Sequence, residues 1–257
     1  MADMAGTYTI LLSNLAYARG IGGQFSRHVR YLHRHFYCSS TVQHRTLAQM
    51  GALIAQEDPD LCCFVEIDQG SFPSAGMNQL KVLAGTAYRH GHIENKYGKD
   101  SRLRRFFITR GKSNGFMAKQ AFPYETLFFR HGIKRLAYKI RMTPDLTVYF
   151  SHLSLNRNVR AAQLQEIRQW MMGTSGHVVF LGDFNLLSGL SELTPILEGT
   201  DILLLNRPDT PTFTFHTRAL VLDICLYSRS LAGHATLNVL PQPFSDHAAL
   251  ALRVTVP

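Results

Sequence analysis

Short apolar runs recur from one end of this 257-residue chain to the other, and their length is what most limits the fold. Residues 7–12, 61–65, 146–150, 178–181, 221–226 and 248–254 are rich in β-branched or aromatic side chains and bounded by polar or turn residues. Runs of that size and composition predict strands. Two segments carry a longer, helical period. Residues 41–58 set Leu47, Met50 and Ile54 on one face with Pro59 just beyond, and residues 158–172 carry Leu164, Ile167 and Met171 as a stripe. Many strands with few helices predict a sandwich of two sheets with helices outside. No repeat, low-complexity tract or Pro/Gly/Ser linker divides the sequence, so a single domain over 1–257 is expected.

Composition narrows the class. At 46% hydrophobic and 11% aromatic the chain can build a sizeable core, which argues against disorder. Of its four cysteines, Cys62 and Cys63 are adjacent inside an apolar run and no C-x-x-C pair exists, so buried, reduced thiols are expected. The first basic residue is Arg19, unlike the start of a secretory signal, and no apolar stretch approaches the roughly 18 residues needed to span a bilayer. A soluble cytoplasmic protein is the expectation.

The charge is uneven. Lys and Arg number 27 against 18 Asp and Glu, a net +9, and the excess lies in the first 140 residues, with the remainder close to neutral. A basic half suggests an anionic partner: nucleic acid, phospholipid headgroups or phosphorylated metabolites. Two segments concentrate it. In 24–37, Phe25, Val29, Leu32 and Phe36 recur at helical spacing among Arg27, Arg30, Arg34 and several His, predicting a basic amphipathic helix. Such a helix packs its stripe on the domain, makes peripheral contact with a membrane or lies beside nucleic acid. Residues 96–112 hold seven basic side chains and one acid, Asp100, around Phe106-Phe107-Ile108, and predict a hairpin or ordered loop. Its Arg102, Arg104 and Arg105 are candidate substrate-binding residues; a solvated charge run is the alternative.

Residues able to do chemistry stand at the ends of the runs. Asn14 ends the first, Glu66 follows "LCCFV", Ser151-His152 closes another, and Gly182-Asp183-Phe184-Asn185 follows "HVVFL". Asp223 sits within residues 221–226, and Ser245-Asp246-His247 precedes the last run. Strand ends gather on a rim, so residues remote in sequence can converge. Phosphate-ester hydrolysis needs a hard cation on oxygen ligands, a group that activates water, and donors for the phosphoryl oxygens. Glu66, Asp183 and Asp246 can supply ligands or a base; Asn14, Asn185, His152 and His247 can donate. Asp223, if buried, needs a partner, and a His ring that it orients is the natural one.

The order and wording of the set, "SHL" at 151–153, "GDFN" at 182–185, "LDI" at 222–224 and "SDH" at 245–247 with Asn14 and Glu66, resemble the endonuclease/exonuclease/phosphatase superfamily. "KSNGFMAK" at 112–119 is similar to that family's Gly-Asn-Ala-hydrophobic segment, with Asn114 at the Asn. The resemblance runs from about residue 8 to 256. It implies an α/β fold of the α+β type: a four-layer αββα sandwich of two mixed β-sheets packed face to face with helices on the outside. It implies Mg2+, with Mn2+ as a substitute, held by Glu66, Asn14 and Asp246. Asp183 would orient and deprotonate water, Asn185 and His152 would contact the phosphoryl group, and His247, its ring held by Asp223, would face the scissile phosphate. Asn114 would touch substrate. Val65 stands where the family commonly has Gln, Leu222 replaces a basic residue, and Ile224 stands where Tyr or His is usual. These departures spare the ligands but weaken assignment to a subfamily. The substrate implied is an anionic phosphodiester, nucleic acid ahead of phospholipid.

Overall fold

Residues 6–257 are described by a computed structural model. The chain opens with β1 (Thr7–Asn14), α1 (Phe25–Arg30), α2 (Ser40–Glu57), β2 (Leu61–Asp68), α3 (Gln79–Ala84), β3 (His90–Asn95) and β4 (Lys112–Ala118). It continues through β5 (Tyr124–Phe128), β6 (Leu136–Arg141), β7 (Leu146–His152), α4 (Arg157–Met172), β8 (His177–Asp183) and α5 (Thr194–Leu197). The last part holds β9 (Ile202–Leu204), β10 (Phe213–Phe215), β11 (Arg218–Leu220), β12 (Asp223–Ser228), β13 (Ala235–Leu240) and β14 (Ala249–Thr255).

Two six-stranded sheets form, in the orders β13-β14-β1-β2-β4-β3 and β5-β6-β7-β8-β12-β9, with β10-β11 as a separate hairpin. Each sheet holds one parallel pair, β1–β2 and β7–β8, and its other pairs are antiparallel. A parallel pair needs a crossover. Helix α2 supplies the first and α4 the second. Helix α4 starts where the Asn156 side chain accepts the Val159 N–H and stops at Gly173, and α2 ends at left-handed Asp58 before Pro59.

Side-chain alternation sorts the core into layers. Ile10, Leu12, Cys63 and Val65 of the first sheet meet Val148, Phe150, Val179 and Leu181 of the second in the central layer. The outer face of the second sheet, with Tyr149 and Phe180, is covered by Leu164, Ile167 and Met171 of α4. The outer face of the first, with Leu11, Cys62 and Phe64, is covered by Met50 and Ile54 of α2 and Leu80 of α3. The result is the expected four-layer αββα sandwich. All four cysteines are buried and free.

The expected helix over 24–37 is broken. Helix α1 stops at Arg30, Tyr31 takes φ −110° and ψ 20°, and residues Leu32–His35 form a 3-10 turn. Arg34 explains the break: its guanidinium stacks 3.8 Å over the Tyr31 ring and donates to the Arg19 carbonyl at 3.0 Å. Nor does the stripe pack on the core, because Phe25, Val29, Leu32 and Phe36 are 53–69% exposed. Segment 96–112 is an ordered loop between β3 and β4 with a 3-10 turn at Arg102–Arg104. The strand expected from Val221 begins at Asp223. Among the described residues no helix is long and apolar enough to cross a membrane.

Candidate active site

The site is the open end of the central layer. Strands β1, β7 and β8 each carry the inward-facing alternation two residues past the core, from Leu12 to Asn14, Phe150 to His152 and Leu181 to Asp183. Strands β4 and β12 run the other way, so their first inward residues, Asn114 before Phe116 and Asp223 before Cys225, reach the same rim. The period of two that fills the core therefore delivers five polar side chains to one end of the sandwich.

Glu66 breaks that period. Cys62 and Phe64 face outward, and regular alternation would send Glu66 with them. The pairing of β2 with β4 instead shifts register between Phe64 and Ile67, and Glu66 takes φ 53°. This bulge inserts one residue and turns its carboxyl toward the rim. A left-handed conformation is strained for Glu, and strain of this kind gathers at functional positions. Three consecutive residues nearby, Ala16, Tyr17 and Ala18, also have positive φ. They are held by the Asn14 Oδ1 accepting the Ala16 N–H at 3.0 Å and by Gln79 Nε2 donating to the Tyr17 carbonyl at 2.8 Å.

The wording of "GDFN" now has a physical reading. A Cβ at Gly182 would lie 2.2 Å from the Ser151 carbonyl of β7, so only glycine allows β7 and β8 this approach. Asp183 points inward, Phe184 is buried in the outer layer, and Asn185 takes φ 53°, a conformation that Asn tolerates.

Hydrogen bonds join the rim. Asn14 Nδ2 donates to Asp183 Oδ2 at 2.9 Å, and the Asn185 N–H donates to Asp183 Oδ1 at 3.1 Å. Asn185 Nδ2 donates to the Leu153 carbonyl at 3.0 Å. His152 Nε2 lies 3.3 Å from Asp183 Oδ2 and contacts the Lys134 ammonium, while its Nδ1 is 3.8 Å from Glu66 Oε1. His247 Nδ1 is 2.7 Å from Asp223 Oδ2, and its Nε2 faces Asp183 Oδ2 at 3.9 Å. Ser245 Oγ donates to the Asn14 carbonyl and the Ser13 hydroxyl donates to Gln242 Oε1, which ties the loop carrying Asp246 and His247 to β1. A cavity of about 500 Å3 opens beside Asp246 and His247, lined also by Gly23, Arg27 and Thr214.

Burial and mutual charge set the protonation. Burial pushes the Glu66 carboxyl up, yet the cations Lys96, Lys134 and Arg19 outweigh it and hold it well below the usual carboxylate range. Burial, reinforced by Lys134, holds His152 well below the usual imidazole range, so that ring is neutral. Burial works against a charge on His247, but the Asp223 and Asp183 carboxylates raise it above its ordinary value, so this ring is a cation at neutral pH. Asp183 and Asp246 are both raised, first by burial and further by the charge of Glu66. One histidine is thus a neutral contact and the other an imidazolium donor, a division set by surroundings.

Sequence reasoning missed Tyr17, Lys96 and Lys134. Buried Lys96 lies 3.3 Å from Glu66 Oε1 and contacts the Tyr17 hydroxyl, which itself sits 3.4 Å from that oxygen. Burial lowers the Lys96 ammonium to about 7. Tyr17 directly follows Asn14-Leu15-Ala16, which was its only signal. Of the remaining expected residues, Asn114 is buried beside the Glu66 bulge with Oδ1 unpartnered. Arg104 is paired with Glu94 at 2.9 Å, while Arg102 and Arg105 are exposed on the loop outside the network.

The donor set fits a hard divalent cation. Glu66, Asp183 and Asp246 are carboxylates whose charges disfavour one another, and a dication relieves that repulsion. A tighter trio, Asp183, Asp223 and His247, has ligand atoms within 4.8 Å of one another. Within this trio His247 Nδ1 and Asp223 Oδ2 are already bonded to each other at 2.7 Å.

The fold has relatives among solved structures. ANGEL2, a 2',3'-cyclic phosphatase, matches with a TM-score of 0.68 at 14% identity, covering 98% of this chain and 96% of that chain. Truncated Caenorhabditis elegans TDP2 matches at 0.64 and 13% identity, over 97% of each chain. D. rerio TDP2 complexed with single-strand DNA product matches at 0.62 and 15% identity, over 96% of this chain and 98% of that one. At these identities the likeness is one of fold. No curated protein matches the chain by sequence. The sequence does match a family of phosphoesterases over residues 40–247, most of its length, and so the chain belongs to the Endonuclease/Exonuclease/phosphatase family.

Proposed function

We propose that the chain is a Mg2+-dependent phosphodiesterase, one catalytic domain in which Glu66, Asn14 and Asp246 hold the cation and Mn2+ can substitute. The observation that carries this reading is the cross-sheet constellation: Asn14 bonded to Asp183, and His247 bonded to Asp223 with its Nε2 toward Asp183. When bound, the cation would neutralise charge on the phosphoryl oxygens. Asp183, raised above its ordinary value by burial, accepts the proton of the attacking water. The His247 imidazolium donates from Nε2 to a phosphoryl oxygen, with Nδ1 kept by Asp223. Asn185 spends one amide proton on the Leu153 carbonyl and keeps the second for the phosphoryl group. His152, neutral, and Lys134 bind the phosphate from the second sheet.

The test is turnover of the soluble diester bis(p-nitrophenyl) phosphate with Mg2+, Mn2+ or no metal. Metal-dependent turnover lost in Asp183→Asn and Glu66→Gln is expected; parent-like rates in both variants would overturn the roles. The basic first half supports nucleic acid as substrate, as does a similar fold with a single-strand DNA product. A second reading, a phospholipid or soluble phosphorylated headgroup as substrate, is favoured by the exposed apolar side chains on the connections at the site end.

A further inference from the structure

Exposed apolar side chains are common singly and informative in groups. Among the described residues fourteen large ones are exposed, and eleven of them stand on connections that leave the site end of the sheets, ahead of helix α2, α3, α4 or α5 where the connection holds one. Phe25, Val29, Leu32, Phe36 and Tyr37 follow β1, and Phe72 follows β2. Phe106 and Phe107 follow β3, which runs antiparallel to β4 and so finishes at the same end of the sheet as β2, with β4 between them. On the second sheet Ile133 lies in the β5–β6 connection beside Lys134, while Leu155 follows β7 and Leu187 follows the Asn185 turn. The other three, Val82, Tyr124 and Met172, lie elsewhere.

Four of the members on the first sheet form one surface. Ring centroids step from Tyr37 to Phe72 at 5.5 Å, from Phe72 to Phe107 at 6.1 Å and from Phe107 to Phe106 at 5.0 Å, joining three separate segments. Cations border this ridge. Arg102 and Arg105 are exposed and outside every ion pair among the described residues, and no acidic residue occurs between Arg19 and Gln56. Charge complementarity therefore calls for an anionic partner. Five of the eleven, Val29, Leu32, Ile133, Leu155 and Leu187, are aliphatic and stand on connections of both sheets at the site end. Single-stranded nucleic acid is held by aromatic platforms along a basic groove, and aliphatic side chains on both sides of a mouth add nothing to base stacking. The boundary between headgroups and acyl chains takes apolar side chains of either kind, with cations at the phosphate level.

We infer that this rim docks on an anionic phospholipid bilayer, with the mouth of the site turned to the headgroups. The orientation rests on the phosphodiesterase reading; the docking rests on the surface alone. The rim replaces the single amphipathic helix as the contact, since 24–37 is broken and supplies only part of it.

Co-sedimentation with vesicles of phosphatidylcholine, with and without phosphatidylserine, tests the docking. The parent is expected to sediment with the anionic vesicles. Phe106→Ser/Phe107→Ser is expected to weaken partitioning by roughly ten-fold or more, and Ile133→Ser on the opposite side to weaken it as well. Met172→Ser, at the far end of α4, should bind as the parent does. Parent-like circular dichroism and parent-like turnover of bis(p-nitrophenyl) phosphate show that the variants are folded. Absence of parent binding to anionic vesicles overturns the proposal, as does equal binding by the Phe106/Phe107 variant. A single-stranded oligonucleotide bound by the parent and released by that variant, with vesicles ignored, overturns it in favour of nucleic acid. If vesicle binding holds while the soluble diester is never cleaved, the docking stands and the phosphodiesterase reading fails.

Discussion

Replacing Asp223 with Asn keeps the size and shape of the side chain under His247 and removes its charge. The bond it alters is 2.7 Å long and lies between side chains that are 9% and 1% exposed. A hydrogen bond to a charged group contributes about 1.5–3 kcal/mol, more at the upper end where water is excluded. If the imidazolium acts on the phosphoryl group in the transition state, losing that support lowers kcat by about 10- to 150-fold, with a smaller change in KM. Protonation supplies an independent readout. The carboxylates of Asp223 and Asp183 raise the His247 ring above its ordinary value, so its contribution to stability is complete below about pH 6.5 and is lost as pH rises through the folded-state value. In Asp223→Asn the folded-state value falls, and that loss begins at lower pH. Steady-state kinetics on bis(p-nitrophenyl) phosphate and an NMR titration of the ring measure the two effects. A kcat within about two-fold of the parent, together with an unmoved titration, would refute the assignment.

Gly182→Ala is expected to lower stability by about 1–3 kcal/mol or more in urea unfolding, because the added Cβ would meet the Ser151 carbonyl at 2.2 Å. Arg160→Met removes a buried guanidinium that contacts Glu192 at 2.6 Å and the carbonyls of Ser154 and Leu155 at 3.0 Å; a loss of about 3–5 kcal/mol is expected by the same assay. Chelation by EDTA should abolish turnover and leave far-UV circular dichroism unchanged, since the three apolar clusters include none of the proposed ligands.

How much of this was legible in the sequence follows from which residues obey a period. Asn14, His152 and Asp183 stand two places beyond inward core residues, so finding the strands also located them. Glu66 was legible as a residue type at a strand end, but its aim depends on a bulge that no pattern announces. Tyr17 sits in a left-handed turn, and Lys96 and Lys134 come from loops. Their charges were visible in the basic excess, whereas their positions depend on backbone geometry without a period. Strands β3 and β5 are half-exposed edges with mixed composition and gave no apolar run. Segment 24–37 had the right spacing for one helix, yet the tie from Arg34 to the Arg19 carbonyl ends it after six residues.

The bonds at the rim also fix when the site can exist during folding. Asn14 and Asp183 belong to different sheets and are 169 residues apart, and His247, leading into β14, meets Asp223 of the other sheet. The parallel pairs form around their own crossover helices, joining Ile10 to Leu61 and Leu146 to His177, whereas β14 reaches back to β1 from the far end of the chain, Thr255 to Thr7. The closures of β14 onto β1 and of Asn14 onto Asp183 span the longest loops and carry the larger entropic cost. Activity therefore returns on refolding only once the two sheets have docked, after most of the secondary structure has formed, and the catalytic rim acts as a clasp that reports the last step of assembly.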